Sequence, residues 1–236
     1  MSLPKNSLKQ YYGESGEYLK EHESFLNSSD LQKDLSFLTD TLKFKKSDII
    51  LDIACGQGRH SNALSEKGYN VDGVDFSEYL LKIAEEESKK NIVNKPSYFF
   101  ADIEKMELAK KYTKAYWFFS DLGNLNIQRA LASLSKNLEI NGEMLIDTDN
   151  IFRIVSFLQK KHNPDYSFDA QKLELFDVKN NVHVQYPVIP MWNMWLTDAG
   201  FSLEKVFGDY ELAQYTINSP RMILLIKKTA QIQNNG

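Results

Sequence analysis

The sequence predicts an α/β protein, a doubly wound and mostly parallel sheet with helices on both faces. Three observations predict it. Short apolar runs alternate with stretches of helical periodicity from Ile49 to Asp149. A Gly-rich turn, Cys55–Gly58, joins the first of those runs to the helix behind it. Polar residues such as Asp75, Asp102 and Ser120 stand at the ends of successive runs. That is the edge at which open α/β sheets bind ligands.

The first helix opens at Leu31. Ser29 and Gln32 have capping-box spacing, and Leu31, Leu35, Leu38 and Leu42 share a face. Ile49–Ala54 is apolar except for Asp52, as in a strand buried on both sides. Arg59–Lys67 reads as helix, stopped by Gly68. Val71–Asp75 is the second strand, and Ser77 caps a helix carrying Leu80, Ile83, Ala84 and Glu87 at helical spacing. Ser97–Ala101 and Ala115–Ser120 are the next strands. Ile127, Ala130, Leu131, Leu134 and Leu138 form a helical stripe, Asn141-Gly142 is a turn, and Glu143–Asp147 is the following strand.

After Asp149 the rhythm breaks. Ile151–Lys161 reads as helix. Lys172–Val178 and Val182–Tyr186 read as a hairpin around Asn180-Asn181, ended by Pro187 and Pro190. Met191–Ala199 is a helix with Gly200 as its stop. Ser202–Phe207 and Met222–Lys227 have no helix between them and read as an antiparallel pair. The division expected is a helical N-terminal segment over the site (1–45), a ligand-binding core (46–150), an inserted helix and β-hairpin cap (151–190), and a final helix with the closing strands (191–230).

A chain of 236 residues suits one α/β domain with a small cap. With 28 basic and 32 acidic residues the net charge is −4, which does not point to duplex nucleic acid as a partner. A hydrophobic content of 42% is too high for a disordered chain. Apolar runs such as Met222–Ile226 fall far short of the ~20 residues of a membrane span. Met1–Asn6 carries no apolar signal core, and the single cysteine, Cys55, forms neither an internal disulfide nor a multi-thiolate metal site. A cytoplasmic location is expected.

The sharpest chemical signal runs from Ile50 to His60. Gly56 and Gly58 remove side chains, so a ligand can approach the backbone and the free N–H groups of the next helix. Asp52, in an apolar strand, needs a partner. Asp75 stands 17 residues after Gly58, near the spacing at which an acid accepts bonds from ribose hydroxyls. The same turn suits an NAD(P)-dependent oxidoreductase. Ser61, however, stands where a dinucleotide fold prefers glycine or alanine, and Asp52 would repel a pyrophosphate.

Taken in order, these residues resemble the class I S-adenosylmethionine-dependent methyltransferases, from about Ile49 to Asn150 and again in the last two strands. The resemblance implies a Rossmann-like seven-stranded sheet whose last strand lies antiparallel between the fifth and sixth. It implies an enzyme that moves a methyl group to an N or O atom of a small molecule by in-line displacement, leaving S-adenosylhomocysteine. Asp52, Ala54, Cys55, Gly56 and Gly58 would surround the methionine part, with Arg59 opening the helix. Asp75 would hold the ribose, with Phe76 beside it. Asp102 would meet the adenine amino group and the Ile103 backbone its ring. Ser120 would lie at the sulfonium end, and Tyr11, with Tyr12 and Tyr18, would close over the cofactor, although an aromatic cluster before a helix is more often core.

Ala54 departs from the glycine many members carry, and Cys55 suits packing. No Asn/Asp-Pro-Pro-Tyr/Phe motif is present. No general base is assigned; Asp121, Asp147, Asp149 and Tyr210 are candidates. Arg59 fits a salt bridge equally well, Asp102 fits a helix cap, and His60 reads as structural. Met191, Trp192, Met194 and Trp195 read as packing, and His162 and His183 as surface residues. A non-catalytic cofactor-binding protein fits the same residues. Oligomeric state is not legible.

Overall fold

The computed structural model describes residues 10–21, 30–90, 93–119, 122–160, 164–178 and 182–230. The strands are β1 Ile49–Ile53, β2 Asn70–Asp75, β3 Ser97–Phe100, β4 Tyr112–Trp117, β5 Leu138–Asp149, β6 Tyr166–Asp169, β7 Glu174–Asp177, β8 Val182–Gln185, β9 Phe201–Phe207 and β10 Arg221–Lys228. The helices, apart from a single turn at Tyr18–Glu21, are α1 Leu31–Leu42, α2 Arg59–Glu66, α3 Glu78–Ser88, α4 Ile127–Asn137, α5 Ile151–Lys160 and α6 Ile189–Asp198. Seven strands form one sheet in the order β3-β2-β1-β4-β5-β10-β9. β10 runs antiparallel to both β5 and β9, so six strands are parallel and one is reversed. This is the expected doubly wound, Rossmann-like arrangement.

The sheet is covered on both faces because side chains alternate along each strand. Ile50 packs under Leu35, Leu38 and Leu42 of α1 and Leu64 of α2. Its neighbours Leu51 and Ile53 pack under Leu131 and Leu134 of α4 and Leu196 of α6 on the other face. Ser77 caps α3 as predicted, its Oγ accepting from Leu80 N at 3.2 Å. At α1 the residue before the helix, Asp30, makes no side-chain cap bond, and Ser29 lies outside the described residues.

Three local expectations change. The predicted hairpin gains a third strand, β6, which pairs with β7. Four residues, Tyr-Ser-Phe-Asp, are too few for their alternation to stand out in sequence. Its Asn180-Asn181 turn lies outside the described residues. Pro190 opens α6 from within its first turn, where no N–H is required. The Asn141-Gly142 turn is a bulge inside β5. Asn141 takes a positive φ of 68°, and β5 advances from Leu138 to Glu143 while β4 advances only from Tyr112 to Lys114.

The small sheet β6-β7-β8 sits against the turn that follows β4. A Cβ on Gly123 would meet Val184 Cγ1 at 2.4 Å and the Gln185 backbone at 2.8 Å. The cap therefore rests beside the carboxyl ends of the parallel strands. Among the described residues no helix is long and apolar enough to cross a membrane.

Candidate active site at the strand tips

The β1–α2 turn has three left-handed residues. Ala54, Gly56 and Gly58 have φ of 55°, 53° and 75°. For Ala54 this conformation costs about 1–2 kcal/mol, which explains why the resembling family favours glycine there. The two glycines differ in what they face. A Cβ on Gly56 would meet nothing nearer than Leu80 Cδ1 at 3.9 Å, so its outer side is open. A Cβ on Gly58 would lie 2.4 Å from the Tyr98 hydroxyl and 2.8 Å from Ala84 Cβ. Tyr98 in turn bonds Ser61 Oγ at 3.0 Å and Asn62 Oδ1 at 2.9 Å. Gly58 thus makes room for packing, and Gly56 leaves room for a ligand.

Asp75, at the tip of β2, ties this turn to the next strand. One carboxylate oxygen accepts from Gly56 N at 2.9 Å and the other from Ser77 N at 2.8 Å. Burial raises its pKa against these bonds. Ser77 Oγ donates to the Tyr12 carbonyl at 2.7 Å. The Tyr12 ring stands edge-on to Phe76 at 5.2 Å, with Tyr11 and Tyr18 packed behind it. Asp102 accepts from Glu104 N at 3.1 Å and lies 3.6 Å from Lys105 Nζ, in a turn rather than a helix cap. Ile103 is buried against the core. Cys55 is partly buried, and burial pushes its thiol pKa up.

Asp52 is the odd group. It is 3% exposed, and Oδ2 is buried without a hydrogen bond of good geometry. Burial lifts its pKa to about 6, although His60, Tyr116 and Ser61 pull it down. Behind it, Asp34 of α1 accepts from His60 Nε2 at 3.2 Å and faces Arg59 at 3.3 Å. Arg59 and His60 therefore meet α1. Asp34 had no role in the sequence reading. Its signal was an acid within the apolar stripe Leu31, Leu35, Leu38.

A second network lies at the tips of β4 and β5. Asp147 is fully buried and accepts two bonds from Arg221, at 2.8 and 3.1 Å, one from Phe119 N at 3.2 Å and one from Tyr210 at 3.0 Å. Burial raises its pKa against these partners. Burial also opposes the charge on Arg221, but Asp147 and Asp149 outweigh it and its pKa rises. Arg221 bonds Asp149 as well. Asn150, 1% exposed, donates to the carbonyls of Thr216, Ile217 and Ser219 and accepts from Tyr215, tying the β9–β10 loop to β5. Arg221 and Asn150 received no role from sequence.

Phe119 has φ of 53°, which ends β4 at Trp117 and turns the chain outward, short of the expected Ser120. Ser120 and Asp121 lie outside the described residues, as does His162. Trp192 and Trp195 are buried in the core, whereas Met194 is exposed. His183 stacks on Phe176 and bonds Glu174 at 2.6 Å within the small sheet.

Residues 50–142, which hold β1 to the bulge of β5, match the sequence model of the methyltransferase domain. Over these residues the chain is similar to methyltransferase domains. A putative methyltransferase of Geobacillus sp. (strain WCH70) is 23% identical over 208 residues, 76% of this chain and 84% of that protein. An S-adenosylmethionine-dependent methyltransferase from Clostridium acetobutylicum ATCC 824 superposes with TM-score 0.72 at 15% identity, covering 91% of this chain and 98% of that one. Magnesium protoporphyrin IX methyltransferase from Synechocystis PCC 6803, crystallised with S-adenosylhomocysteine, superposes with TM-score 0.68 at 14% identity over 96% of this chain and 100% of that one. These two likenesses concern the methyltransferase fold.

Proposed function

We propose that the chain binds S-adenosylmethionine across the tips of β1–β3 and methylates an N or O atom of a small molecule held at the tips of β4 and β5. The observation that carries this reading is the open approach to Gly56 beside the Asp75 carboxylate. The residues fit the cofactor. Gly56 gives backbone access to the methionine part, and the orphaned Asp52 oxygen suits an ammonium group. Asp75 keeps acceptor capacity on both oxygens for ribose hydroxyls. Phe76 and the Ile103 backbone would flank the base, and Asp102 would meet its amino group. Tyr11 and Tyr12 would form the outer wall.

The cofactor supplies a methyl group already activated on a sulfonium sulfur. The protein is left with alignment, exclusion of water and acceptance of the proton an acceptor gives up. Asp147 accepts four bonds from three residues and holds its neighbours in place. Tyr210, its pKa raised by burial and Asp147, stays protonated as a donor. Asp149 is about half exposed and has one oxygen beyond its bond to Arg221, so it is the better-placed proton acceptor. The Synechocystis protein's acceptor, a porphyrin, supports the small-molecule class.

Calorimetric titration with S-adenosylhomocysteine and, separately, NADH tests the reading. Heat with the first and none with the second is expected. The reverse would make the chain a dinucleotide protein.

A further inference from the structure

Beside the Asp147–Arg221 pair, the structure has a cavity of about 320 Å³. Asp149, Asn150, Arg153, Ile154, Phe157, Pro220 and Arg221 line it, Asn150 being taken up by the β9–β10 loop carbonyls. This lies within the size range of small-molecule sites. Its polar groups fall into two kinds. Arg221 is committed, with bonds to Asp147 and Asp149 that leave the buried pair neutral. Asp149 and Arg153 are not. Asp149 bonds Arg221 through one oxygen only, and its side chain is 49% exposed. Arg153 is exposed and donates to the Pro220 carbonyl at 3.3 Å. Among the described residues it makes no ion pair with a carboxylate.

The cavity thus offers one unneutralised acid and one unneutralised base on an apolar wall. That wall is the face of α5. Only Ile151 of this helix is buried, while Phe157 is 45% exposed and Ile154 half-buried. A purely cationic ligand would satisfy Asp149 and face Arg153, and a purely anionic one would do the opposite. Like charges brought together cost free energy, so each is disfavoured at one end. A ligand that carries both charges on an apolar frame satisfies both ends.

We propose that this cavity is the acceptor subsite and that it selects zwitterionic, amino-acid-like molecules, with Arg153 taking the carboxylate, Asp149 the ammonium, and Ile154 and Phe157 the apolar body. The proposal rests on the methyltransferase reading above, because it treats the cavity as the acceptor side of that site.

The test uses the full chain saturated with S-adenosylhomocysteine, whose own binding is measured first. Three probes are then titrated by calorimetry or NMR: L-phenylalanine, 2-phenylethylamine and 3-phenylpropanoate. L-Phenylalanine is expected to bind at least ~10-fold tighter than either singly charged probe, in line with one charge-assisted contact. Arg153→Ala should bring it to the level of 2-phenylethylamine, and Asp149→Asn to the level of 3-phenylpropanoate. Should Asp149→Asn fail to fold, Arg153→Glu must invert the preference toward the amine. Phe157→Ala should weaken all three equally. Equal binding of the probes, preference for one singly charged probe, or no binding by a protein that still takes S-adenosylhomocysteine overturns the subsite. Failure to bind S-adenosylhomocysteine instead brings down the cofactor reading beneath it.

Discussion

At the tips of β1 and β2 the bonds of Asp75 join near neighbours in the chain, although Ser77 also reaches back 65 residues to Tyr12. Asp75 reaches back 19 residues to Gly56 and forward two to Ser77. At the tips of β4, β5 and β10 the bonds to the end of the chain join residues 63 to 74 apart: Tyr210 to Asp147, Asn150 to Ser219, Arg221 to Asp147. The first half is a set of strand-end motifs. The second is a knot drawn between β5 and the end of the chain. Its geometry depends on β10 lying against β5, in a register that pairs Arg221 with Asp149. The difference teaches that cofactor and acceptor halves need not share one fate when a residue is removed.

The strongest way to break the comparison is Arg221→Ala. It leaves Asp147 buried without its cation, which typically costs about 3–5 kcal/mol of stability. Urea denaturation should show that loss, while the remaining folded protein binds S-adenosylhomocysteine with near wild-type affinity. Equal damage to stability and to cofactor affinity would mean that the halves act as one unit. Pairing it with Asp147→Asn should cost less than the sum of the two single changes, since the groups share one network.

Asp52 gives the next largest effect, with the opposite sign. Burial raises its pKa from 3.8 to about 6. Between those values the folded chain holds a proton that the unfolded chain has lost. Stability from this group therefore falls as pH rises from about 4 to 6, and the penalty is complete above 6. At pH 7 it amounts to about 3 kcal/mol. Asp52→Asn should raise stability at pH 7 by up to that amount, add nothing near pH 4, and weaken S-adenosylmethionine binding. Melting curves of both proteins from pH 4 to 7 check it; a pH-independent difference would be incompatible.

The same division governs what could be read from sequence. The strand order from β1 to β5, the Ser77 cap and the placing of Asp75 rest on periodicity and on spacing within some twenty residues. So does the antiparallel closing pair. The roles of Asp34, Asn150 and Arg221 were not legible, because each depends on which distant element lands beside it. The end of β4 was misplaced because Ala115–Phe119 is apolar throughout, and nothing in composition reveals that Phe119 turns left-handed. Asp102 stands just past β3, where it was expected, but its local bonds to Glu104 and Lys105 are those of a turn.

Asp75→Ala addresses the cofactor half alone. Loss of a charge-assisted contact should weaken S-adenosylhomocysteine binding by about 1–3 kcal/mol, read by calorimetry. The turn should loosen too, because Gly56 N and Ser77 N lose their acceptor. Asp75→Asn, which keeps one acceptor oxygen, should fall between. Unchanged affinity in Asp75→Ala would remove this residue from the site and leave the acceptor half untouched.

The finest distinction is between the two glycines of the first turn. In Gly58→Ala the new Cβ runs into Tyr98 and Ala84, so stability should drop by about 1–3 kcal/mol, as for other overpacked sites. Adding Tyr98→Phe removes the nearest colliding atom and should recover part of that loss. In Gly56→Ala the space is open, and only the positive φ, about 1–2 kcal/mol, is felt by the free protein. Its Cβ would instead stand where the ligand approaches, so cofactor affinity should fall more than stability does. Thermal melts with and without S-adenosylhomocysteine separate the two quantities. If both alanines shift the free and bound melts alike, the turn has no ligand side, and the open approach at Gly56 loses its meaning.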